Sequence, residues 1–231
     1  MQTKDKPRIT FNVHTVVKSI SFVALGLVLI HIVLQYLYLV HGVEVMSTLR
    51  GRFNLDNEIS IPTWFEQTLL LLPAILGLVL AKFDKPNRIY WLLFGTLFTY
   101  LSVDEGAMIH EAFITKFRES TTDSATSGLG LQTWLIPVGI ILLLLMVPFL
   151  RFVRRLPKRT VLQLSIGLAV YVFGAIVYEA FDLTYVHGDF SYAGISIAIE
   201  EGLEMAGMII TSFALLNYLR QVAPKFEIHI K

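Results

Sequence analysis

Carboxylate side chains recur at helical spacing in three stretches of the chain that are otherwise apolar. The stretches are YLSVDEGAMIHEAF (100–113), YEAFDLTYVHG (178–188) and YAGISIAIEEGLEMAG (192–207). An ionised group in hydrocarbon costs several kcal/mol, so acids in such surroundings are candidate functional residues.

Within each stretch the acids share one side of the predicted helix. Asp104 and Glu111 are seven residues apart, Glu179 and Asp182 are three apart, and Glu204 follows a Glu-Glu pair by three and four residues. Residues at these separations are neighbours on a helix surface. Each of the three helices is therefore predicted to present a carboxylate pair.

This concentration of acids indicates bound cations or bound protons. In a medium of low dielectric constant the acids cannot all ionise without counter-charges, so either several are protonated or a multivalent cation lies among them. We predict a divalent metal ion as cofactor: carboxylate with imidazole suits zinc, iron, manganese or copper, and carboxylates alone suit calcium, magnesium or manganese. The predicted metal ligands are Asp104, Glu105, His110, Glu111, Glu179, Asp182, Glu200, Glu201 and Glu204.

Glu105 and Glu201 are the two residues for which we also predict a catalytic role. In a metal-dependent hydrolase, one carboxylate acts as general base on a water molecule that the metal activates. The alternative interpretation is that the acids lie at helix ends, face an outer vestibule, or pair with basic residues of the outer loops.

Composition shows that the elements carrying these acids are membrane helices. The chain has 231 residues, of which 55% are hydrophobic and 16% charged, and its mean hydropathy is +0.63. A soluble domain carries about 25% charged residues, so a water-soluble enzyme is excluded. A net charge of +1 without an aromatic-rich basic patch argues against nucleic-acid binding. The absence of cysteine excludes disulfides, thiolate metal sites and cysteine nucleophiles.

Six segments are apolar over the roughly 20 residues that a bilayer-spanning helix needs. They are residues 16–41, 63–82, 88–113, 131–153, 159–185 and 192–219. We therefore predict an all-α fold, a polytopic integral membrane bundle of six transmembrane helices that forms one domain over residues 1–231. His31 and His41, on the first span, are interpreted as hydrogen-bonded helix residues rather than metal ligands.

The distribution of charge predicts the orientation of this bundle. Fifteen of the 19 Lys and Arg residues lie in the N-terminal segment, two short links and the C-terminal tail. The positive-inside rule places these segments, and hence both termini, in the cytoplasm of a protein of the cell membrane. Fifteen of the 18 acids then lie in the outer half, so the predicted site opens toward the outer face.

The outer segment 42–62 has two features of its own. Its end, together with the next two residues, reads SIPTW, which predicts the start of a helix with Ser60 or Thr63 as N-cap. Asp56 and Glu58 precede this start and either fold over the outer site as a lid or belong to a solvated loop.

Three motifs resemble those of a family of uncharacterised prokaryotic multipass membrane proteins. They are E-x-x-x-P-T-W at 58–64, D-E-x-x-x-x-H-E at 104–111 and E-E-x-x-E-M at 200–205. That family has no established activity, so the resemblance implies a multipass fold and no function. The chain is more loosely similar to membrane-embedded metal hydrolases of the ceramidase and progestin-receptor type, whose Ser, His and Asp spacings and helix count it does not share.

Three functions are compatible with these residues. The first is a metal-dependent membrane enzyme that acts on a lipid or another substrate at the outer leaflet. The second is a cation or proton-coupled transporter, which needs a polar path through the inner halves of the spans. The third is a non-catalytic accessory subunit, with the acids at an interface in a larger membrane complex. Homo-oligomerisation is compatible with all three.

Overall fold

The computed structural model of the chain describes residues 12–41, 44–109, 149–178 and 190–224, together with residues 112, 116, 140, 144 and 147. Regular structure in these residues is helical, and none of them forms a strand. The helices are α1 (Val13–His41), α2 (Glu44–Phe53), α3 (Ile61–Phe83), a 3₁₀ turn (Lys85–Asn87), α4 (Arg88–Ala107), α5 (Lys158–Val172) with a π-helical continuation (Phe173–Tyr178), and α6 (Phe190–Val222). The all-α prediction is confirmed for these ranges.

Four of these helices are long and apolar enough to cross a lipid bilayer: α1, α3, α5 with its π-helical continuation, and α6 from Gly194 onward. On α1, large apolar side chains such as Phe22, Leu25 and Leu29 are exposed on the surface of the protein. A helix that is apolar on its exposed side as well suits a lipid environment. The fold is therefore compatible with an integral membrane protein.

The prediction of six spans is not met, since only these four qualify within the ranges that the structure covers. The predicted span 88–113 corresponds to α4, which is shorter and ends at Ala107, where Met108 adopts a left-handed conformation with φ of 52°. Charged residues at both ends, Arg88 and Glu105 among them, make α4 less apolar than the other four. The predicted span 131–153 lies mostly outside the described residues.

α6 occupies the centre of the described bundle and packs against α1, α3 and α5, whereas α4 pairs chiefly with α3. Glycine residues allow the closest contacts between these helices. A Cβ atom on Gly207 of α6 would lie 2.5 Å from the Tyr171 nitrogen and 2.7 Å from the Gly167 oxygen of α5. Similarly, a Cβ atom on Gly77 of α3 would lie 3.1 Å from Cα of Gly95 in α4. Small residues of this kind bring membrane helices into backbone contact.

A buried carboxylate fixes the turn between α3 and α4. Asp84 accepts hydrogen bonds from Trp91 Nε1 at 2.8 Å, Asn87 Nδ2 at 3.0 Å and the Tyr218 hydroxyl of α6 at 2.7 Å. Burial by itself raises the pKa of the Asp84 carboxyl, but these donors outweigh burial and hold the pKa below its ordinary value. The turn thereby links three helices at one end of the bundle, and the start of α3 and the end of α4 lie at the other.

Candidate functional site

Glu66, on the second turn of α3, is a buried acid with 6% of its surface exposed. α3 begins at Ile61 because the Ser60 hydroxyl accepts a hydrogen bond from the Thr63 backbone N–H at 3.2 Å, with Pro62 in the first turn. The prediction of an N-cap at this point is confirmed, with Ser60 as the capping residue. The cap places Glu66 more than one turn inside the helix.

The carboxyl group of Glu66 forms a hydrogen bond with the carboxyl group of Glu201 on α6. An ionised carboxylate has only acceptors, so this bond requires a proton on one of the two groups. No described residue supplies a hydrogen-bond partner to the buried Oε1 atom of Glu66. A buried polar atom left unsatisfied costs about 1–3 kcal/mol, so this oxygen has unused capacity to bind a ligand.

Two further acids act electrostatically on Glu66. Glu204 follows Glu201 by three residues on the same side of α6, and Glu105 lies near the end of α4. Tyr171 of α5 is within electrostatic range of all four acids. We call Glu66, Glu105, Glu201 and Glu204 the glutamate cluster.

The close pairing of α3 with α4 brings Glu105 to this cluster. The Ser102 hydroxyl donates a hydrogen bond to the Gln67 backbone oxygen at 2.9 Å. Gly106 lies against the Gln67 side chain, which occupies the position where a Cβ atom on residue 106 would stand. A side chain at residue 106 would therefore displace the end of the flexible Gln67 side chain from this contact.

The π-helical segment Phe173–Tyr178 packs against α6 beside the cluster. A Cβ atom on Gly174 would lie 3.0 Å from Glu204 Cγ and 3.0 Å from the Glu200 backbone oxygen. The segment thus supports the Glu204 side chain by direct contact. π-helical turns within α-helices often occur at functional sites.

The loop between α2 and α3, residues 54–60, also approaches the cluster. Glu58 acts electrostatically on both Glu105 and Glu201, and Asp56 acts on Glu201. The loop is ordered by its own polar contacts: the Asn57 side-chain amide donates to the Gly51 backbone oxygen at 2.8 Å, and the Asn57 backbone oxygen accepts from the Thr63 hydroxyl at 2.8 Å. The interpretation of this loop as a lid over the site stays a prediction.

His31 and Arg50, near this end, make contacts that hold parts of the structure together. His31 is buried and hydrogen-bonds through both ring nitrogens, to Leu55 and Gly194, while His41 is exposed at the end of α1. The interpretation of His31 as a hydrogen-bonded helix residue is confirmed. Arg50 donates to Gln35 Oε1 at 3.1 Å and stacks 3.8 Å from the Tyr38 ring centroid, so it engages α1.

The structure brings together three of the predicted ligands, Glu105, Glu201 and Glu204, with Glu66 as an added member. Asp104 is partly buried next to them and hydrogen-bonds with Tyr100. Glu200 precedes Glu201, and its side chain therefore leaves α6 about 100° further round the helix. The predicted ligands outside the described residues are His110, Glu111, Glu179 and Asp182.

Sequence reasoning missed Glu66, although a signal for it was present. Glu66 is the one acid within the predicted span 63–82, and the argument from buried charge applies to it as it does to Glu105. Its position near a helix start made it resemble an ordinary interfacial residue.

Within the described residues, no group of three or more His, Asp or Glu side chains is arranged to hold a metal ion. The four glutamates repel one another, and Glu66 and Glu201 share a hydrogen bond, but the four do not form a complete set of metal ligands.

Comparison with known families matches residues 20–219 to the domain of unknown function DUF8692. The chain belongs to the DUF8692 family. This membership agrees with the resemblance to an uncharacterised family and assigns no activity. No curated protein and no solved structure matches this DUF8692 member.

Proposed function

We propose that this DUF8692 member is an integral membrane protein whose activity resides in the glutamate cluster, and that the cluster binds a divalent metal ion. The observation that carries the proposal is the buried Glu66 carboxyl, which lies among three other glutamates and has one oxygen, Oε1, without a hydrogen-bond partner among the described residues. A divalent cation among these oxygens would offset their mutual repulsion and satisfy the unpartnered atom.

The donor set fits a metal in part. The described glutamates supply hard oxygen ligands from α3, α4 and α6, and calcium, magnesium and manganese favour such ligands. The remaining ligands would come from His110, Glu111, Glu179 or Asp182. Of these, His110 and Glu111 follow α4 and Glu179 directly follows the π-helical segment beside Glu204. Imidazole from His110 would extend the range of metals to zinc and iron.

The reaction that such a site supports is metal-dependent chemistry on a membrane lipid or another substrate at the outer leaflet. The bound metal would polarise the reacting group of the substrate. In this proposal the shared proton stays on Glu66, which leaves Glu201 ionised to accept a proton from the attacking water as general base, and Glu105 would be a metal ligand or the alternative base. The outward opening of the site and the cytoplasmic location of both termini belong to the same proposal and rest on the distribution of basic residues.

Elemental analysis of the protein, purified in mild detergent, tests this proposal. Glu66→Gln and Glu201→Gln keep side-chain size and remove one charge each, and Glu227→Gln, near the C-terminus, serves as the matched control. We expect a stoichiometric divalent metal in the wild type and the control, and its loss from both cluster variants. A wild-type protein that stays metal-free after incubation with Mn²⁺, Zn²⁺ and Ca²⁺ would refute the proposal, as would unchanged metal content in both cluster variants.

A second candidate, a proton-coupled transporter, is favoured by one observation, the hydrogen bond between the Glu66 and Glu201 carboxyl groups. A proton held between two buried acids is a feature of proton relays in membranes. Proteoliposomes with a pH-sensitive dye inside provide the test: proton flux in the wild type that disappears in Glu66→Gln supports transport. Wild-type flux equal to that of empty liposomes excludes it.

A further inference from the structure

His31 joins three parts of the molecule at the end where the glutamate cluster lies. Its Nδ1 atom accepts a hydrogen bond from the Leu55 backbone N–H at 3.1 Å, and its Nε2 atom lies 3.0 Å from the Gly194 backbone oxygen. The side chain itself belongs to α1, Leu55 belongs to the α2–α3 loop, and Gly194 belongs to α6. These two contacts link residues 24 and 163 positions apart along the chain.

The partners fix the protonation of the imidazole ring. Because Nδ1 accepts a hydrogen bond, it carries no proton, and the proton of the neutral ring is on Nε2, which donates to Gly194. With 1% of its surface exposed, His31 has both nitrogens engaged by protein rather than by water. His31 is therefore not available as a metal ligand.

The loop that His31 holds is the one that carries acids to the cluster. Leu55 is buried with 2% of its surface exposed, and it directly precedes Asp56. Asp56 and Glu58 act electrostatically on Glu201, and Glu58 also acts on Glu105. Fixing the Leu55 backbone thus restrains the loop that carries these two carboxylates.

We propose that His31 is a positioning residue that holds residues 54–60 as an acidic cover over the glutamate cluster, through which a divalent cation from the solvent reaches Glu201. This inference rests on the proposed function for the identity of the ligand. The tether between His31 and the loop rests on geometry alone, so the two can be tested separately.

Two variants test the two hydrogen bonds of the His31 imidazole separately. His31→Asn places an amide oxygen near the Nδ1 position and keeps an acceptor for the Leu55 N–H, whereas His31→Gln places an amide nitrogen near the Nε2 position and keeps the donor to Gly194. A structural role in helix packing alone would make the two variants similar. A role in holding the loop requires that His31→Asn keep the loop in place as in the wild type and that His31→Gln release it. His41→Gln, an exposed histidine on the same helix, is the control.

The experiment measures two quantities on the full-length protein in detergent: hydrogen exchange of the Leu55 amide and the Kd for Mn²⁺. For His31→Gln we expect Leu55 exchange to be faster and Mn²⁺ binding to be weaker, each by about tenfold, as for the loss of one buried hydrogen bond. For His31→Asn and the control we expect both values to stay within about threefold of the wild type.

The outcomes separate the two proposals. Equal exchange at Leu55 in the Asn and Gln variants would overturn the tether, and faster exchange with unchanged Mn²⁺ affinity would overturn the role of the loop at the site. If the wild type binds no Mn²⁺, no cation passes the loop to reach Glu201, and the inference fails together with the proposed function. Faster Leu55 exchange in His31→Gln alone would then still show that His31 holds the loop.

Discussion

The Glu66 carboxyl on α3 and the Glu201 carboxyl on α6 hydrogen-bond to each other inside the bundle. The two residues are far apart in sequence, and they meet because α6 packs against α3. A pair of acids that must share a proton is a poor choice for stability alone, because apolar residues of similar volume are often neutral or stabilising in place of buried charged groups.

Replacing Glu66 by Gln is therefore expected to leave the protein as stable as the wild type or more stable. The amide can still donate a hydrogen bond to Glu201, while one source of repulsion within the cluster is removed. Thermal unfolding in detergent without divalent ions measures this, and Tm should be unchanged or raised by a few degrees. A clear fall in Tm would mean that the Glu66 carboxyl serves the fold rather than a ligand.

The contact between α5 and α6 is expected to fail when Gly207 gains a side chain. A Cβ atom there would lie 2.5 Å from the Tyr171 nitrogen, which is backbone and cannot move aside. We expect Gly207→Ala to destabilise the protein by about 1–3 kcal/mol, the usual cost of overpacking. Gly26→Ala on α1 is the control, since no atom from another described part of the chain lies within 4 Å of its added Cβ. Equal Tm values for the two variants would contradict this packing.

A subtler change at Gly174 should alter the site without changing its charge. A Cβ atom there would lie 3.0 Å from Glu204 Cγ, so the Glu204 side chain must shift by a few tenths of an ångström. We expect Gly174→Ala to fold and to bind Mn²⁺ several-fold more weakly than the wild type, measured by titration in detergent. Wild-type affinity in this variant would show that the position of Glu204 is unimportant for binding.

Asp84 is expected to stabilise the turn between α3 and α4 in its ionised form. Asp84→Asn replaces a charged acceptor of three donors by a neutral amide and should cost about 1.5–3 kcal/mol. The pKa of Asp84 in the folded protein is lower than its ordinary value. The contribution of the ionised carboxylate to the free energy of unfolding is therefore fully present above about pH 4 and declines as the pH falls further. The difference in Tm between wild type and Asp84→Asn should be constant from pH 5 to 8 and shrink below about pH 4. A difference in Tm that grows on acidification would contradict this prediction.

The membrane location can be tested with tryptophan fluorescence. Trp64 has 66% of its surface exposed at the start of α3, where an aromatic residue suits the membrane interface, whereas Trp91 is fully buried. In a Trp134→Phe background, lipids carrying a shallow quencher should reduce the emission of Trp64 and leave that of Trp91 largely unchanged. Removing Trp64 by substitution with Phe should abolish the quenched component. Quenching that persists in that variant would argue against this arrangement.

Some of this protein follows from the sequence alone. Long apolar runs predict membrane helices because a chain in lipid must satisfy its backbone hydrogen bonds internally. The predicted first, second and sixth spans correspond to α1, α3 and α6, and the start of α3 could be read from SIPTW because capping is a local interaction. Glu105, Glu201 and Glu204 could be selected because charge in apolar surroundings is costly wherever the helices pack.

The tertiary structure decided what those acids face. Helical spacing shows which residues share a side of one helix, but not which sides of two helices meet. That depends on close contacts such as Gly167 with Gly207 and Gly106 with Gln67. Packing joined Glu66 to Glu201 and brought the Leu55 backbone to His31. The sequence alone determined a helical chain with costly buried acids. Only the packing of the helices selected the four that form one cluster, because contacts between distant segments are set by shape complementarity across the whole bundle.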